Sequence, residues 1–187
     1  GKVQANNALV SAGNFTMDNS SGSVTSAGKK ATLIQMTVNP QYSIDVSSLG
    51  GIEANSISMV GNNIGFGVRN KGSIISNGTL MLTSNGNLLN KGSITGKGLL
   101  SQVSTVTGIT NDGSIAGAYY LMLSSGDYIV NTGSLSGGQL IATANGNITN
   151  GDSGTMTGTS GLSLTSGGKI RNEEKASLLS NNQIAAT

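Results

Sequence analysis

An apolar residue stands two positions before an asparagine again and again along this chain. The asparagine opens a motif, Asn-x-Gly-Ser followed by an aliphatic residue, of which Asn70–Ile74 and Asn90–Ile94 are examples. The apolar positions are Met17, Val68, Leu88, Ile109, Ile129, Ile148 and Ile170. From Asn70 onward the asparagines are 20, 21, 20, 19 and 22 residues apart. We therefore predict structural repeats of about 20 residues, with these apolar side chains inside.

A second apolar pattern lies ten and eight residues before the asparagine in most repeats. Its members are Leu80 and Leu82, Leu121 and Leu123, Leu140 and Ala142, and Leu162 and Leu164. Alternation with a period of two is typical of β-strands. Pairs such as Asn85-Gly86 and Asn145-Gly146 follow these strands and predict corners. We expect glycine and asparagine to adopt positive φ at those corners.

A unit of this length with three short strands cannot close a sheet by itself, so its hydrogen bonds must go to the units before and after it. No segment has the i, i+3, i+4, i+7 spacing of a helical repeat. The predicted fold class is therefore all-β: a right-handed parallel β-helix (solenoid) with about 20 residues and three short strands per coil.

Stacked coils bring equivalent residues above one another, which predicts a structural ladder of asparagine side chains. Its members are Asn70, Asn90, Asn111, Asn131, Asn150 and Asn172. Amides can donate and accept along such a column and so satisfy buried polar groups. The competing interpretation is that these asparagines bind a ligand. The residue after each asparagine points outward, so Lys91 and Asp112 are expected to be stacked neighbours.

The first quarter of the chain breaks the period. Residues 1–24 resemble one coil, with Leu9, Val10, Phe15 and Met17 as interior residues. Residues 25–53 are predicted to be an irregular excursion or loop, and residues 54–187 the regular β-helix. Looser copies of the asparagine motif begin at Asn19, Asn150 and Asn172.

Composition restricts the chemistry that this chain can carry. It contains no cysteine and no histidine, and its net charge is +2. Thiolate nucleophiles, imidazole bases and nearly all zinc sites are thereby removed, and we expect no cofactor and no metal site. Basic residues form no cluster interleaved with aromatic residues, which argues against nucleic-acid binding. No apolar run is long enough to span a bilayer, so no membrane insertion is expected.

The best candidates for a surface contact are Tyr119 and Tyr120, a rare aromatic pair in a chain with six aromatic residues. Alternation predicts that one of them faces in and the other out. The competing interpretation is a packing role at a corner. A β-helical polysaccharide-degrading enzyme is the alternative function, but its carboxylates would have to come from Asp112, Asp152 and Asp127, which the repeat separates. We therefore predict no catalytic residues and a non-enzymatic protein.

One stretch is similar to a known family. Residues 44–74 read IDVSSLGGIEANSISMVGNNIGFGVRNKGSI. Their Ile-Asp-Val start, Leu-Gly-Gly turn and Gly-x-Gly-Val-x-Asn turn resemble the filamentous haemagglutinin family of two-partner-secretion exoproteins. The repeats from Asn70 to Asn172 resemble the family's haemagglutinin repeats, and residues 1–24 the end of its secretion domain. Ile52-Glu53 and Gly61-Asn62-Asn63 depart from the usual family residues.

The resemblance implies a long fibre, secreted or held at the bacterial cell surface. The family is exported across the periplasm and outer membrane by an outer-membrane β-barrel transporter, whose recognition motifs would lie upstream of Gly1. Its members include host-cell adhesins and the toxins of contact-dependent growth inhibition. The expected partners are thus that transporter and a receptor on a host or bacterial cell. This segment would lie near the base of the rod.

Overall fold

The computed structural model describes residues 1–13, 15–17, 24–26, 42–63 and 67–187. Strands account for the regular structure of these residues. In chain order they are β1 (Lys2–Ala12), β2 (Phe15–Met17), β3 (Val24–Ser26), β4 (Tyr42–Val46), β5 (Gly51–Gly61), β6 (Gly67–Asn70), β7 (Ser73–Ser76), β8 (Leu80–Ser84), β9 (Leu88–Asn90), β10 (Ser93–Gly96), β11 (Leu100–Thr105), β12 (Ile109–Asn111), β13 (Ser114–Ser125), β14 (Ile129–Asn131), β15 (Ser134–Ala144), β16 (Ile148–Asn150), β17 (Thr155–Ser166), β18 (Ile170–Asn172), β19 (Ser177–Leu179) and β20 (Ile184–Ala186).

These strands stack in parallel as a β-solenoid of about 7 turns of about 21 residues, which confirms the predicted fold class. The solenoid has three faces. Face A consists of β7, β10 and β19 together with the first parts of the long strands. Face B consists of β8, β11 and β20 together with the later parts of the long strands. Faces A and B form one 11-stranded sheet, because the long strands β1, β5, β13, β15 and β17 run over both of them. Face C is a 7-stranded sheet, in the order β4, β6, β9, β12, β14, β16, β18. At about 4.8 Å per turn the seven rungs of face C make a rod about 30 Å long.

Each face presents one side of its strands to a narrow apolar core. Face C contributes the column Ile44, Val68, Leu88, Ile109, Ile129, Ile148 and Ile170. The five from Val68 to Ile148 have no exposed surface. The alternating pairs predicted from Leu80–Leu82 to Leu162–Leu164 lie on face B, with every member at most 2% exposed. Both apolar patterns of the sequence therefore report the inside of the rod.

From Asn70 to Asn172 the repeat lengths differ only at the corners, whereas the first rung of face C carries one extra residue, Ser43, inside the β4–β6 pairing. Between Asn131 and Asn150 the corner from face A to face B holds a single residue, Gly138, between paired positions, whereas the turn before it holds Ala118 and Tyr119. After Asn150 the corner from face C to face A is longer, and it contains Ser153 at a φ of 66°. Because paired strand positions stay in register, insertions collect where no strand pairing is broken.

The glycine of the Asn-x-Gly-Ser motif is needed for close approach, not for an unusual backbone angle. A Cβ at Gly92, Gly113 or Gly133 would lie 2.0 to 2.2 Å from the carbonyl oxygen of the glycine at the equivalent position one turn earlier. Among the described residues, positive φ occurs only at Gly13 and Ser153. The expectation of positive φ at the corners was thus wrong, because the corners bend gently and it is stacking that excludes a side chain.

The first turn differs from the prediction for residues 1–24. Of the strands in residues 1–24, only β1 belongs to the solenoid: it runs over faces A and B and pairs with β5 in parallel. Strands β2 and β3 pair with each other in a separate antiparallel hairpin. The side chains of Phe15 and Met17 lie outside the described part, as does Asn19, so their interior role stays a prediction. Leu9 is 44% exposed, because alternation on β1 turns Ala8 and Val10 inward instead.

The end of the predicted excursion belongs to the solenoid. Strand β4 is the first rung of face C, and β5 begins at Gly51 in register with Ser73. Strand β1 ends on face B and β4 begins on face C, at the corner where later turns need only a few residues. Residues 27–41, which held the rest of the predicted excursion, lie outside the described part.

We predict that Ile129→Asp abolishes cooperative folding or lowers the free energy of unfolding by several kcal/mol, because an unpaired carboxylate would be buried in the face C column. Lys71→Glu, on the exposed residue after Asn70, is the control and should change stability by less than about 0.5 kcal/mol. Urea unfolding followed by circular dichroism measures both. Equal losses in the two variants would contradict the assignment of inside and outside.

We also predict that Gly113→Ala destabilises the rod by about 1–3 kcal/mol, since the new methyl group meets main-chain atoms that cannot move independently of their turn. Gly161→Ala is the matched control, because its Cβ would find its nearest neighbour, Gln139 Nε2, at 3.8 Å. The control should be neutral or slightly stabilising. Thermal unfolding of both variants tests this, and a Gly161 variant as unstable as the Gly113 variant would refute the role of close approach.

Candidate functional site

The six asparagines of the predicted ladder meet at the corner between face C and face A. In each of five successive contacts Nδ2 of one asparagine donates to Oδ1 of the next, over 2.7 to 2.9 Å. The rung before Asn70 holds Val46 at the equivalent position. The asparagine column therefore begins at Asn70 and runs one way, with every amide pointing its donor toward the C-terminal end.

These amides also satisfy the main chain of the corner. Nδ2 of Asn111 lies 3.2 Å from the carbonyl oxygen of Gly113 and 3.0 Å from that of Ser134. Asn111 has no exposed surface, whereas Asn172 at the last rung is exposed. The carbonyl oxygen of Gly113 also accepts the N–H of Ser134, so the amide is a second donor there. A buried amide left without partners would itself cost about 1–3 kcal/mol. The geometry gives these asparagines a structural task that occupies their donors, and it leaves little capacity for a ligand.

A second polar column, which the sequence patterns above did not predict, lies at the corner between face B and face C. Oγ of Ser125 lies 2.7 Å from the carbonyl oxygen of Thr107 and 2.8 Å from that of Tyr128, and its one proton can be donated to either. Ser84, Thr105 and Ser166 stand at equivalent rungs, and Ala144 interrupts the column between Ser125 and Ser166. The sequence contained part of this signal, because Ser84, Ser125 and Ser166 each follow a face B apolar pair by two positions.

Charged side chains form pairs on the outside of face C and its corner. Nζ of Lys91 lies 3.5 Å from a carboxylate oxygen of Asp112, which confirms that these residues are stacked neighbours. Asp112 also accepts a hydrogen bond from Thr132 Oγ1 at 2.9 Å. Both charged side chains are largely in solvent, so the pair is worth about 0.2–1 kcal/mol at most.

The two halves of the stretch that resembles the haemagglutinin family lie on adjacent rungs. Asp45 pairs with Arg69 in register, and the guanidinium group holds the Asp45 carboxylate with two hydrogen bonds, one of them 2.9 Å from Nε. The hydrogen bonds from Arg69 lower the pKa of Asp45. The same guanidinium stacks 4.7 Å from the ring centroid of Tyr42. The contacts of Arg69 with Asp45 and Tyr42 thus link the first two rungs of face C.

Tyr119 and Tyr120 both face solvent, at 61% and 41% exposure. The prediction that one of them faces in was wrong. Pairing between β13 and β15 slips between Gly117 and Tyr120, at the corner from face A to face B, so alternation does not hold across these residues. The third tyrosine of this region, Tyr128, lies at another corner, where its ring occupies the space left by the missing side chain of Gly108.

The carboxylates considered for an enzyme do not assemble into a site. Asp112 is engaged by Lys91 and Thr132, while Asp127 lies at the corner between faces B and C. Asp152 is exposed two turns after Asp112. Within the described part of the chain no group of three His, Cys, Asp or Glu side chains is arranged to hold a metal ion. Those residues also include no helix long and apolar enough to cross a membrane.

We predict that Asn111→Ala lowers the free energy of unfolding by about 3 kcal/mol, because it removes a fully buried amide that accepts from Asn90 Nδ2 and donates to Asn131 Oδ1, and so interrupts the ladder at both neighbours. Asn172→Ala removes the same side chain at the exposed last rung and should cost less than about 1 kcal/mol. Chemical denaturation of the two variants gives the difference. If Asn111→Ala were as stable as Asn172→Ala, the ladder would contribute nothing to stability.

Comparison with known proteins adds one partial similarity. No family model matches the chain, and no solved structure matches it. Toxin CdiA of Yersinia pestis is 40% identical to the chain over 57 residues, which are 30% of this chain and 2% of the toxin. The chain thus corresponds to a very small part of that relative's length. The chain is a β-solenoid that is locally similar to toxin CdiA.

Proposed function

We propose that this chain is a segment of the stalk of a large exoprotein that is secreted or exposed on the bacterial cell surface. The observation that carries the proposal is a β-solenoid combined with a local similarity to toxin CdiA. Stacked turns lengthen a rod without changing its cross-section, so a protein gains reach by adding repeats. The apolar columns tie successive rungs together through the core, and the asparagine ladder does so from Asn70 to Asn172.

The proposed export route is two-partner secretion through an outer-membrane β-barrel transporter. It is supported by the resemblance of residues 44–74 to the filamentous haemagglutinin family. The fold suits such a route, because each turn hydrogen-bonds to the turn before it and can be added as the chain emerges. Lys91 N, for example, donates to the carbonyl oxygen of Asn70, and Asp112 N to that of Asn90. Folding would then need no globular intermediate.

The stalk would belong to an adhesin or to a toxin of contact-dependent growth inhibition, and its partner would be a receptor on a host or bacterial cell. The outside of the solenoid is free to vary, since Lys71, Lys91, Asp112 and Thr132 succeed one another at a single corner position. We propose a binding and scaffold role without catalysis. The dispersed carboxylates give no observation in favour of a polysaccharide-degrading enzyme.

The test is to locate the chain in the bacterium that makes it, with antibodies raised against the purified chain. We expect the antigen in the medium or on intact cells, where external protease removes it. Deleting the gene of the partner transporter should retain the antigen in the periplasm. Antigen confined to the cytoplasm, or export unchanged without the transporter, would contradict the proposal. A cytoplasmic control protein must remain protease-resistant in the same intact cells.

A further inference from the structure

The corner between faces A and B carries a surface unlike the rest of the rod. Leu99, Tyr119, Tyr120 and Met122 are between 38% and 67% exposed there. Next to them lies a shallow groove of about 360 Å³, whose lining includes Gln139, Ser160, Gly161, Ser163 and Asn182. From the combined chemistry of these neighbours, we propose that this corner binds a neutral oligosaccharide in an extended conformation. The proposal is independent of how the chain is exported.

The tyrosines and the groove are continuous along the rod. Tyr120 pairs in register with Gln139, and Gln139 with Gly161. The fourth rung is Gln183, whose carbonyl oxygen accepts the N–H of Leu162. At about 4.8 Å per rung these four positions span about 14 Å, close to the length of a trisaccharide in an extended β-linked chain. A sugar chain lying parallel to the axis would therefore meet one rung after another.

The shape of the corner exposes the aromatic rings. The turn after Tyr119 is one residue shorter, with only Gly138 between paired positions, and a Cβ there would lie 2.8 Å from the Tyr119 carbonyl oxygen. The surface consequently steps down beside the tyrosine pair. An exposed tyrosine offers an apolar ring face and a polar hydroxyl, which match the C–H face and the hydroxyl groups of a pyranose ring.

The groove supplies unused hydrogen-bonding groups. The side-chain amides of Gln139 and Gln183 make no hydrogen bond in the part of the chain that the structure describes. An amide both donates and accepts, so it can bind vicinal hydroxyl groups. The small residue Gly161 lets the Gln139 side chain lie across the groove floor, with its Nε2 3.8 Å from the position of a Cβ. A few polar groups in a concave surface are the usual means of orienting a small ligand.

The groove lacks charged residues, and this favours a neutral sugar over an acidic one. All the residues lining this groove are uncharged, including its remaining members Leu162, Gln183 and Ala185. An acidic polysaccharide would require Lys or Arg partners for its carboxylates or sulfates, and the groove offers none. A neutral glycan fits the lining best.

Isothermal titration of the whole chain with cellohexaose and chitohexaose tests the proposal, with hexagalacturonate as the acidic probe. We expect saturable binding of at least one neutral probe, with an affinity that is the same at low and high salt. Tyr119→Ala combined with Tyr120→Ala should weaken it about tenfold or more, and Gln139→Ala several-fold. The acidic probe should not bind.

Two matched variants control for general surface effects. Val106→Ala removes an exposed apolar side chain, and Asn145→Ala an exposed amide, both at the corner between faces B and C. Both should bind like the unaltered chain, and all variants should share its unfolding temperature. The proposal is overturned if neither neutral probe binds, if binding is as tight without the tyrosines as in the controls, or if hexagalacturonate binds equally well.

Discussion

The main-chain hydrogen bonds of each turn can be satisfied only by the turns on either side of it. A unit of about 21 residues has no sheet of its own, so an unpaired face would leave a row of buried N–H and C=O groups without partners. Register must therefore be kept on all three faces at once. Ile109, Ile129 and Ile148 occupy the same place in successive rungs for this reason. From Asn70 onward the length differences between turns lie at the corners, where pairing is already interrupted.

Corners carry the difficult part of this constraint, because the chain must turn there while remaining in contact with its neighbours. The corner between faces C and A meets it in two ways. Glycine allows backbones to touch, as at Gly92 and Gly113, and the asparagine amides add a second donor to carbonyl oxygens that already accept a main-chain N–H from the next turn. At the corner between faces B and C, hydroxyl groups likewise donate to carbonyl oxygens of the corner, as Ser125 Oγ can to Tyr128 O.

The outside of the rod escapes these demands, and its residues are available for binding. Two neighbouring aromatic side chains, Tyr119 and Tyr120, are exposed where the corner from face A to face B changes length. The same rigid core that suits a stalk also holds such a surface at a defined place along the axis. Reach and recognition are thus compatible in one solenoid, since the first depends on the interior and the second on the exterior.

The sequence by itself determined the repeat, the inward-facing columns and the partners of Asn111, because stacking imposes on every turn a pattern that local spacing reveals. Only the tertiary structure decided features that depend on contacts between turns. The glycines serve close approach and not positive φ, Tyr119 and Tyr120 both face solvent, and Leu9 faces out while Ala8 faces in. Ser101 even stands within a column of leucines, with a buried hydroxyl that has no partner. Periodicity reports the average turn, whereas the residues that depart from it are placed by their particular neighbours above and below.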